Sequence, residues 1–399
     1  MMSTYTKNAI VLGLLAAVGP FAIDMYIPAL PTIAADLQAS TQATQMTLMA
    51  FFVAFGVCQI VYGPLSDMVG RKPPLYFGLV LFVIGAAGCV FAPNVETLIA
   101  CRVVQGIGAS AVMVIPRAII RDLYTGIEAT KLMSLVMLVL SVAPILAPLA
   151  GSGLIVPFGW RAVFVAMTVV GVLGLILVVR ALPETRPKSE RLSASFGTAF
   201  AGFRQLLRHR HFLGLTFIGG FGMSSFFVYL ASSSFIYIDH FGLTPTQYSI
   251  AFSLNAIAFI GASQFAAMLG SRFGQARVVR AAVASFAFFA LVLLALTLAG
   301  VDNLFVLIAL LFCANAPLGL VIPTCMVLAL EEHGPIAGMA SALGGTLQMV
   351  FGAIMIVIVS LLFDGTPLPM VAMIAVSATG ALILGLITLR GRALTQPAH

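Results

Sequence analysis

The sequence predicts an all-α integral membrane protein with about twelve transmembrane helices arranged as two six-helix halves. Three observations lead to this fold class. The 399 residues are 61% hydrophobic and only 8% charged, whereas about a quarter of an ordinary soluble domain is charged. Apolar runs long enough to cross a bilayer core of about 30 Å recur along the chain. One long polar stretch divides these runs near the middle.

The predicted spans are separated by short segments that contain Gly, Pro or charged residues. The first span follows Lys7 and could be mistaken for a cleaved signal peptide. Its apolar run is long and has no small-x-small cleavage site, so we interpret it as a true span. We place the spans at residues 8–30, 45–66, 75–92, 97–119, 131–156, 161–182, 212–238, 246–270, 278–298, 304–330, 336–363 and 368–389.

The longest polar stretch, residues 183–211, divides the chain into an N-terminal half at 1–182 and a C-terminal half at 212–399. Apolar and basic side chains recur in it at helical spacing, so one interpretation is an amphipathic helix on the cytoplasmic leaflet. A solvated basic linker is the alternative. The apolar positions are Phe196, Phe200, Phe203 and Leu207, and the basic positions are Arg204, Arg208 and Arg210.

Weak internal repetition indicates that the two halves are related. Val114–Pro116 in the fourth span matches Val321–Pro323 in the tenth, and Leu65–Gly70 corresponds to Leu269–Gly274 at nearly the same offset. The two matches agree both in offset and in their place within the topology. Parallel six-helix halves around a site at the membrane midplane are typical of alternating-access carriers.

Basic residues follow this predicted topology. The net charge of +7 would suggest nucleic-acid binding in a soluble protein, but all Lys and Arg except Arg102 and Arg161 fall on one side of the predicted spans. That side is the cytoplasm by the positive-inside rule, so both termini are cytoplasmic and no nucleic-acid partner is expected. The opposite loops carry the acids Asp36, Glu96, Asp239, Asp302 and Asp364.

Signals of an enzyme or of a metal site are absent from the sequence. It contains no Ser/His/Asp set and no phosphate-binding loop, and its histidines fall in predicted loops or termini. The five cysteines lie in apolar spans without the spacing of a disulfide framework or a metal site, so we interpret them as small packing residues. We expect no enzymatic activity and no cofactor, with an ion gradient as the source of energy.

Asp24 places a carboxylate inside the first predicted span, where a charge costs about 2.5 to 3.5 kcal/mol on insertion scales. It lies about 10 Å below the outer end of that span, and Arg102 lies about 8 Å below the outer end of the fourth span. The two side chains could therefore meet in the outer half of the protein. Separation of the pair would favour the neutral acid, which predicts proton coupling. The alternative is a static ion pair that locks two helices together.

Two further segments combine glycine and proline at the ends of predicted spans. Gly63–Pro73, between the second and third spans, predicts a tight basic turn with glycine at the bend and proline opening the next helix. Ala143–Gly151 places Pro144 and Pro148 four residues apart among small side chains, which predicts a kinked helix that packs closely against a neighbour.

These segments resemble known motifs. Gly63–Pro73 looks like the signature cytoplasmic loop of the major facilitator superfamily, and Ala143–Gly151 resembles its antiporter motif. With the remaining segments in order, the chain is similar over essentially its whole length to the Bcr/CflA branch of drug-resistance exporters, a twelve-span drug/proton antiporter branch. The remaining segments are Asp24–Pro31, Arg102–Gly106, Gly159–Arg161 and Pro183–Pro187.

The resemblance implies roles for individual residues. Arg102 takes part in proton relay, and Pro144 and Pro148 favour exchange over uniport. The loop motif latches the two halves in one conformation, chiefly through Asp67 and Arg71. Two residues depart from the family pattern, because Ala150 stands where the antiporter motif usually has glycine and Ser271 replaces the acid in the second copy of the loop. The switch residues implied in this way are Gly63, Asp67, Gly70, Arg71, Lys72, Pro144, Pro148 and Gly151.

Aromatic and amide side chains inside the spans are the predicted substrate site. They suit a cavity that stacks flat amphipathic molecules and hydrogen-bonds them loosely. Helix packing or lipid contact is the alternative for any single phenylalanine, whereas an amide in hydrocarbon is costly without a partner. We interpret Arg117, nearer the cytoplasmic end, as a snorkelling or loop-pairing residue. The predicted substrate residues are Phe21, Tyr26, Phe51, Phe55, Gln59, Phe226, Tyr229, Asn255, Asn315 and Gln348, with Phe52 and Phe227 beside them.

Taken together, the residues and the resemblance predict a proton-coupled exporter of amphipathic drug-like molecules in a bacterial inner membrane. Asp24 carries the proton and Arg102 modulates it. The expected partners are the drug, protons and the lipid bilayer, and the expected state is a monomer. An uptake symporter or an exporter of a metabolite such as an amino acid would share the fold and remains an alternative. A channel and a membrane enzyme rank below a carrier.

Overall fold

The computed structural model describes residues 4–187, 196–331, 333 and 336–389, and within these ranges the regular structure is entirely helical. Eleven helices are long and apolar enough to cross a membrane, and a bent helix pair raises this number to twelve if it forms one span. The all-α membrane fold predicted from the sequence is confirmed. By contact clustering the chain forms two compact units, Met1–Ala199 and Phe200–His399, with the boundary inside the 183–211 stretch.

The first unit contains seven helices. Polar side chains begin two of them, because Ser40 Oγ accepts a hydrogen bond from the Ala43 backbone (3.1 Å) and Asn94 Oδ1 accepts one from Thr97 (2.9 Å). The helices are α1 (Thr4–Asp24), α2 (Leu30–Asp36), α3 (Thr41–Val69), α4 (Lys72–Val90), α5 (Val95–Leu123), α6 (Gly126–Phe158) and α7 (Arg161–Ala181).

Close packing between α4 and α5 depends on glycine. A Cβ on Gly85 would lie 2.5 Å from the backbone nitrogen of Gln105, so only a residue without a side chain lets the two backbones approach so closely. Helix α5 also packs on α3, while α1 packs on α6 and α4 on α7. The central position of α5 places Arg102 against several neighbouring helices at once.

A small polar cluster lies at the end of α2. The Trp160 indole donates a hydrogen bond to Asp36 Oδ2 (2.9 Å), and Arg161 Nη1 lies 2.6 Å from the same oxygen. The Arg161 guanidinium lies over the Trp160 ring at 4.2 Å. These contacts connect the end of α2 to the start of α7, which gives the Gly159–Arg161 segment a structural role.

The second unit contains eight helices. α9 is extended by a π-helical turn at Phe235–His240. α10 and α11 meet at Phe265 with a bend of 41° and form the broken eighth span. The helices are α8 (Phe196–Arg208), α9 (Arg210–Ser234), α10 (Pro245–Gln264), α11 (Ala266–Phe273), α12 (Gln275–Leu298), α13 (Leu304–Glu331), α14 (Ala337–Leu362) and α15 (Leu368–Thr388).

Helix α8 answers the question left open for the polar stretch. A helix is present at Phe196–Arg208, as the helical spacing predicted, while its position on the cytoplasmic leaflet stays a prediction. Leu206 is fully buried in the core of the second unit, with Phe203 partly buried beside it, whereas Leu207 is 48% exposed. The helix therefore packs Leu206 against the protein, and not Leu207, which was the predicted apolar position. The side chains of Phe196 and Phe200 lie outside the described part of the chain.

Candidate functional site

The first span is broken at Asp24. Helix α1 ends there, and the Met25 backbone N–H donates the last hydrogen bond of the helix to the Phe21 carbonyl (3.1 Å). A short 3-10 turn at Ile27–Ala29 then leads into α2. Asp24 is 4% exposed. Among the described residues, it forms no hydrogen bond and no ion pair. A buried carboxylate without a partner is costly in its charged form, so this position favours a neutral acid.

Arg102 on α5 is held by two aromatic rings. Its guanidinium lies 4.6 Å from the Tyr26 ring centroid and 4.3 Å from that of Phe51. Its Nη1 donates hydrogen bonds to the Ala22 carbonyl (3.1 Å) and to Gln105 Oε1 (2.6 Å). The side chain is fully buried, and its Nε and Nη2 have no hydrogen-bond partner within the described ranges.

The predicted ion pair between Asp24 and Arg102 is wrong for this structure. No ion pair joins them within the described ranges, and Arg102 binds the carbonyl of Ala22, two residues before Asp24. The physical reason is the break in the first span, which places the Tyr26 ring against the guanidinium. Continuous helical spacing, on which the prediction relied, does not apply across that break. Arg102 therefore fixes the backbone next to Asp24 without compensating its charge.

Aromatic side chains form the surroundings of Arg102. The Tyr26 hydroxyl is hydrogen-bonded to Thr47 Oγ1 (2.6 Å), and Phe51 stacks on Phe55 with ring centroids 5.8 Å apart. Tyr26, Phe51 and Phe55 are all buried, so they present no open surface in this conformation. Their predicted role in substrate binding stays a prediction. Phe52 is buried too, and the predicted residues Phe21 and Gln59 are half-buried.

The antiporter-like segment of α6 packs on the break in the first span. Any Cβ on Gly151 would overlap the carbonyl of Met25, which follows Asp24 directly. Helix α6 runs without an assigned break through Pro144 and Pro148 from Gly126 to Phe158. The close packing predicted for this segment is confirmed at Gly151, and its contact point lies one residue from the carboxylate.

A second charged cluster surrounds Arg71. The guanidinium contacts Asp67 (2.8 Å) and Asp122 (2.7 Å), and it donates to Ser66 Oγ (2.7 Å). Arg71 is 3% exposed. Burial works to lower the pKa of Arg71, but hydrogen bonding to Asp122 and the charges of both acids outweigh it and raise the pKa. This cation is therefore fully compensated.

The turn that carries Arg71 is shorter than predicted. Helix α3 continues through Gly63 to Val69, so the turn consists of Gly70 and Arg71 alone. Gly70 has φ of 98°, a conformation that only glycine adopts without strain. The helical continuation explains the contacts, because it places Asp67 one turn before Arg71 and within reach of it.

Residues after the sixth span complete this cluster. Both carboxylate oxygens of Glu184 accept backbone hydrogen bonds at the start of α4, from Arg71 N (2.8 Å) and Lys72 N (3.1 Å). Arg186 Nη1 lies 2.7 Å from Asp67 Oδ1. The sequence prediction missed Asp122, Glu184 and Arg186 as members of the cluster. Glu184 and Arg186 lie in the Pro183–Pro187 segment that carried the family resemblance, whereas for Asp122 the only signal was that a buried arginine needs nearby acids.

The second unit brings together three of the predicted polar residues. Asn315 Nδ2 donates to Asn255 Oδ1 (3.3 Å), and Asn255 Nδ2 lies 3.5 Å from the Tyr229 hydroxyl. The Tyr229 ring stacks on Phe252 with centroids 5.6 Å apart. Gln348 lies apart from this group and donates to the backbone carbonyl of Thr216 on α9 (3.3 Å). The amide cluster is therefore Tyr229, Asn255 and Asn315.

Aromatic neighbours of the amide cluster were not predicted. Tyr248 is fully buried, and its hydroxyl is hydrogen-bonded to Ser233 Oγ (2.9 Å). Phe226, which was predicted, is half-buried and stacks on Phe259 at 6.2 Å, whereas Phe227 is buried. Tyr248 falls near the start of its span, and nothing in its local sequence distinguishes it from a packing residue.

Residues 12–356 match the model of the Major Facilitator Superfamily. The chain is 37% identical over 93% of its length to an uncharacterized MFS-type transporter, YdgK, of Bacillus subtilis, 92% of which is covered. It is 31% identical to a bicyclomycin resistance protein homolog of Haemophilus influenzae, with 90% of each chain covered. A crystal structure of a D-xylose-proton symporter superposes with a TM-score of 0.71 at 17% identity, covering 99% of this chain and 98% of the other.

Proposed function

We propose that this chain, which belongs to the major facilitator superfamily, exports amphipathic antibiotics or related small molecules in exchange for protons. The observation that carries the proposal is the buried, unpaired carboxylate of Asp24 at the break in the first span. An ionisable residue without a partner inside a span is functional by default. The similarity to a protein named for bicyclomycin resistance supports antibiotics as the substrate class.

Proton coupling follows from the surroundings of Asp24. In a dry site the carboxyl group is stable when protonated, and it releases its proton when water or a cation reaches it. Arg102 is attached through Ala22 to the backbone just before Asp24. Movement of α1 against α5 therefore changes the distance between guanidinium and carboxylate. In this mechanism Arg102 acts as the modulator of proton release.

Alternating access couples this proton to the substrate. Gly151 holds α6 against Met25, so a change at the break in the first span moves the antiporter-like segment as well. The aromatic side chains around Arg102 are the proposed substrate contacts of the first unit, and the amide cluster is the proposed contact set of the second. Stacking and loose hydrogen bonding by such groups suit amphipathic molecules of varied shape.

Two further features belong to the proposal. The protein is a monomer in a bacterial inner membrane, with both termini in the cytoplasm as the distribution of basic residues predicts. No cofactor takes part, because the proton gradient supplies the energy: one charge crossing 100 mV gains about 2.3 kcal/mol. An uptake symporter, or an exporter of a metabolite, is the alternative with the same fold.

Drug-induced proton release tests the proposal. Inside-out vesicles with an acidic interior receive bicyclomycin, chloramphenicol or a sulfonamide, and the internal pH is followed for wild type and Asp24→Asn. We expect at least one drug to release protons from wild-type vesicles and none to do so from the variant. Glu96→Gln, a change at an exposed acid at the start of α5, is the control and should behave like wild type.

Other outcomes would separate the alternatives. Equal proton release by Asp24→Asn and wild type would show that the carboxylate is structural, and the coupling mechanism would be wrong. If the drug and the protons move in the same direction across the vesicle membrane, the protein is a symporter. A response to an amino acid but to no antibiotic would identify a metabolite exporter.

A further inference from the structure

Arg117 is a half-buried cation inside a membrane span, with almost no partner among the described residues. It lies on α5 two turns before the helix ends at Leu123. Its Nε is buried without a hydrogen-bond partner, and its Nη2 has a single weak contact, with Met113 Sδ at 3.8 Å. Among the residues that the structure describes, no carboxylate lies within ion-pair distance of it. Of the two interpretations given for Arg117, loop pairing is therefore wrong for the described loops, and snorkelling of the half-buried side chain stays a prediction.

Arg71 and Arg102, the buried arginines in the described part of the first unit, show what Arg117 lacks. Arg71 contacts two carboxylates and a hydroxyl, and Arg102 has two hydrogen bonds and two aromatic faces. Arg117 has only a thioether sulfur, which is a weak acceptor. Most of the five N–H donors of its planar fork therefore have no hydrogen-bond partner among the described residues.

Arg117 is also separate from the proton site. Residues 102, 106, 109, 113 and 117 follow the three- and four-residue spacing of one helix face, so Arg117 shares a face of α5 with Arg102. The two arginines are fifteen positions apart, which corresponds to about 22 Å along the helix. Charged residues inside spans face the protein interior or water and not lipid. Arg117 can therefore be reached by a ligand without involvement of Asp24.

We infer that Arg117 binds an anionic group, a carboxylate or a group of similar geometry, on the transported molecule. This inference rests on the proposed function, because it names a chemical feature of the exported substrate. A carboxylate matches the guanidinium fork with two parallel hydrogen bonds and supplies the missing counter-charge. The protein then favours acidic or zwitterionic amphipathic molecules over neutral ones of the same shape.

Binding of an acid and its ester tests the inference without transport. The purified protein is titrated with nalidixic acid, an aromatic carboxylate at neutral pH, and with its uncharged methyl ester. Affinity is measured for wild type, Arg117→Gln and Arg117→Lys. Arg121→Gln is the matched control, since Arg121 lies one turn further along the same helix and is exposed.

We expect wild type to bind the acid about ten- to a hundredfold more tightly than the ester, as a charge-assisted hydrogen bond predicts. Arg117→Gln should lose this preference while its affinity for the ester stays unchanged, and Arg117→Lys should keep part of it. Arg121→Gln should match wild type. Because an unpaired buried cation destabilises a fold, Arg117→Gln should also unfold at a temperature no lower than wild type.

Three results would overturn the inference. Equal affinity of wild type for acid and ester would do so, and so would an unchanged preference in Arg117→Gln. Stabilisation of wild type by phosphatidylglycerol, absent in Arg117→Gln and without any response to nalidixate, would identify a lipid headgroup as the partner of Arg117. The proton-release experiment is independent, because a preference for the acid can persist in Asp24→Asn, and proton release can occur without such a preference.

Discussion

Two regions of the first unit hold a buried arginine near an acid, and they differ in how the charges are compensated. Around Arg71 each charge has a partner. Asp67 and Asp122 contact the guanidinium, and Arg186 is a second cationic partner of Asp67. Around Arg102 the partners are aromatic rings, an amide and a carbonyl, and Asp24 stands alone. Compensated charges hold one geometry, whereas an uncompensated acid responds to protons.

The difference teaches which residues stabilise the protein and which make it work. Replacing one member of a compensated set leaves the others charged, buried and without a partner, which is strongly destabilising. Replacing an acid that has no partner removes a cost and leaves the fold intact. Stability and transport should therefore respond in opposite ways to changes in the two regions.

The largest effect on stability is expected for Arg71→Gln. It leaves Asp122 without its cation and should lower the free energy of unfolding by about 3 kcal/mol, the low end for a buried ion pair. The low end applies because Asp67 is 33% exposed and keeps Arg186 as a partner. Thermal unfolding of the purified protein measures the change.

Asp24→Asn in the same unfolding experiment sharpens the comparison. It should unfold at the same temperature as wild type or higher, since an amide removes the cost of a buried acid. If Asp24→Asn is as destabilising as Arg71→Gln, Asp24 has a structural partner and the contrast between the regions does not hold.

A smaller effect is expected for Gly151→Ala. The added methyl group overlaps the Met25 carbonyl and must push α6 away from the break in the first span, at a cost of about 1–3 kcal/mol. Gly151→Ala should also reduce drug-induced proton release. Gly153→Ala is the matched control, because open space surrounds a Cβ at that position. Equal activity of the two variants would show that the contact with Met25 does not matter for transport.

The smallest effect is expected for Glu184→Gln. An amide can accept only one of the two backbone hydrogen bonds now made to Arg71 and Lys72, and it no longer interacts with the positive end of the α4 dipole. The expected loss of stability is about 1 kcal/mol, typical of a helix cap. Thermal unfolding measures it, and a loss as large as that of Arg71→Gln would place Glu184 at the centre of the charged cluster.

Much of the fold was predictable from the sequence, and the reason is the bilayer. Spans such as α5 and α13 fall within a few residues of the predicted ranges, because lipid requires long continuous apolar helices. The bend at Phe265 was not predicted. Ser263 and Gln264, just before it, donate side-chain hydrogen bonds to the Ile260 carbonyl (2.7 and 3.4 Å), a contact that bends helices. Two polar residues are too few to stand out within an apolar run. The turn after α3 was predicted at the correct place, but the predicted turn is longer than the observed one, which consists of Gly70 and Arg71.

The sequence identified the main charged residues of the candidate site but not the contacts between them and their partners. Asp24, Arg102 and Arg71 stand out as charges in or next to apolar runs, and a charge there demands an explanation. Their partners did not follow from spacing. Asp122 and Glu184 are far from Arg71 in sequence, and only the packing of α5 and of the segment after α7 brings them to it.

By itself, then, the sequence determined the membrane class, the number of spans and the residues that bear charge. These follow from local composition, because the cost of placing a polar group in hydrocarbon applies to each residue separately. Only the tertiary structure decided which charges are compensated. Compensation depends on distances of a few ångströms between helices remote in sequence, so Arg71 gained its acids, while Asp24 and Arg117 were left without a counter-charge among the described residues.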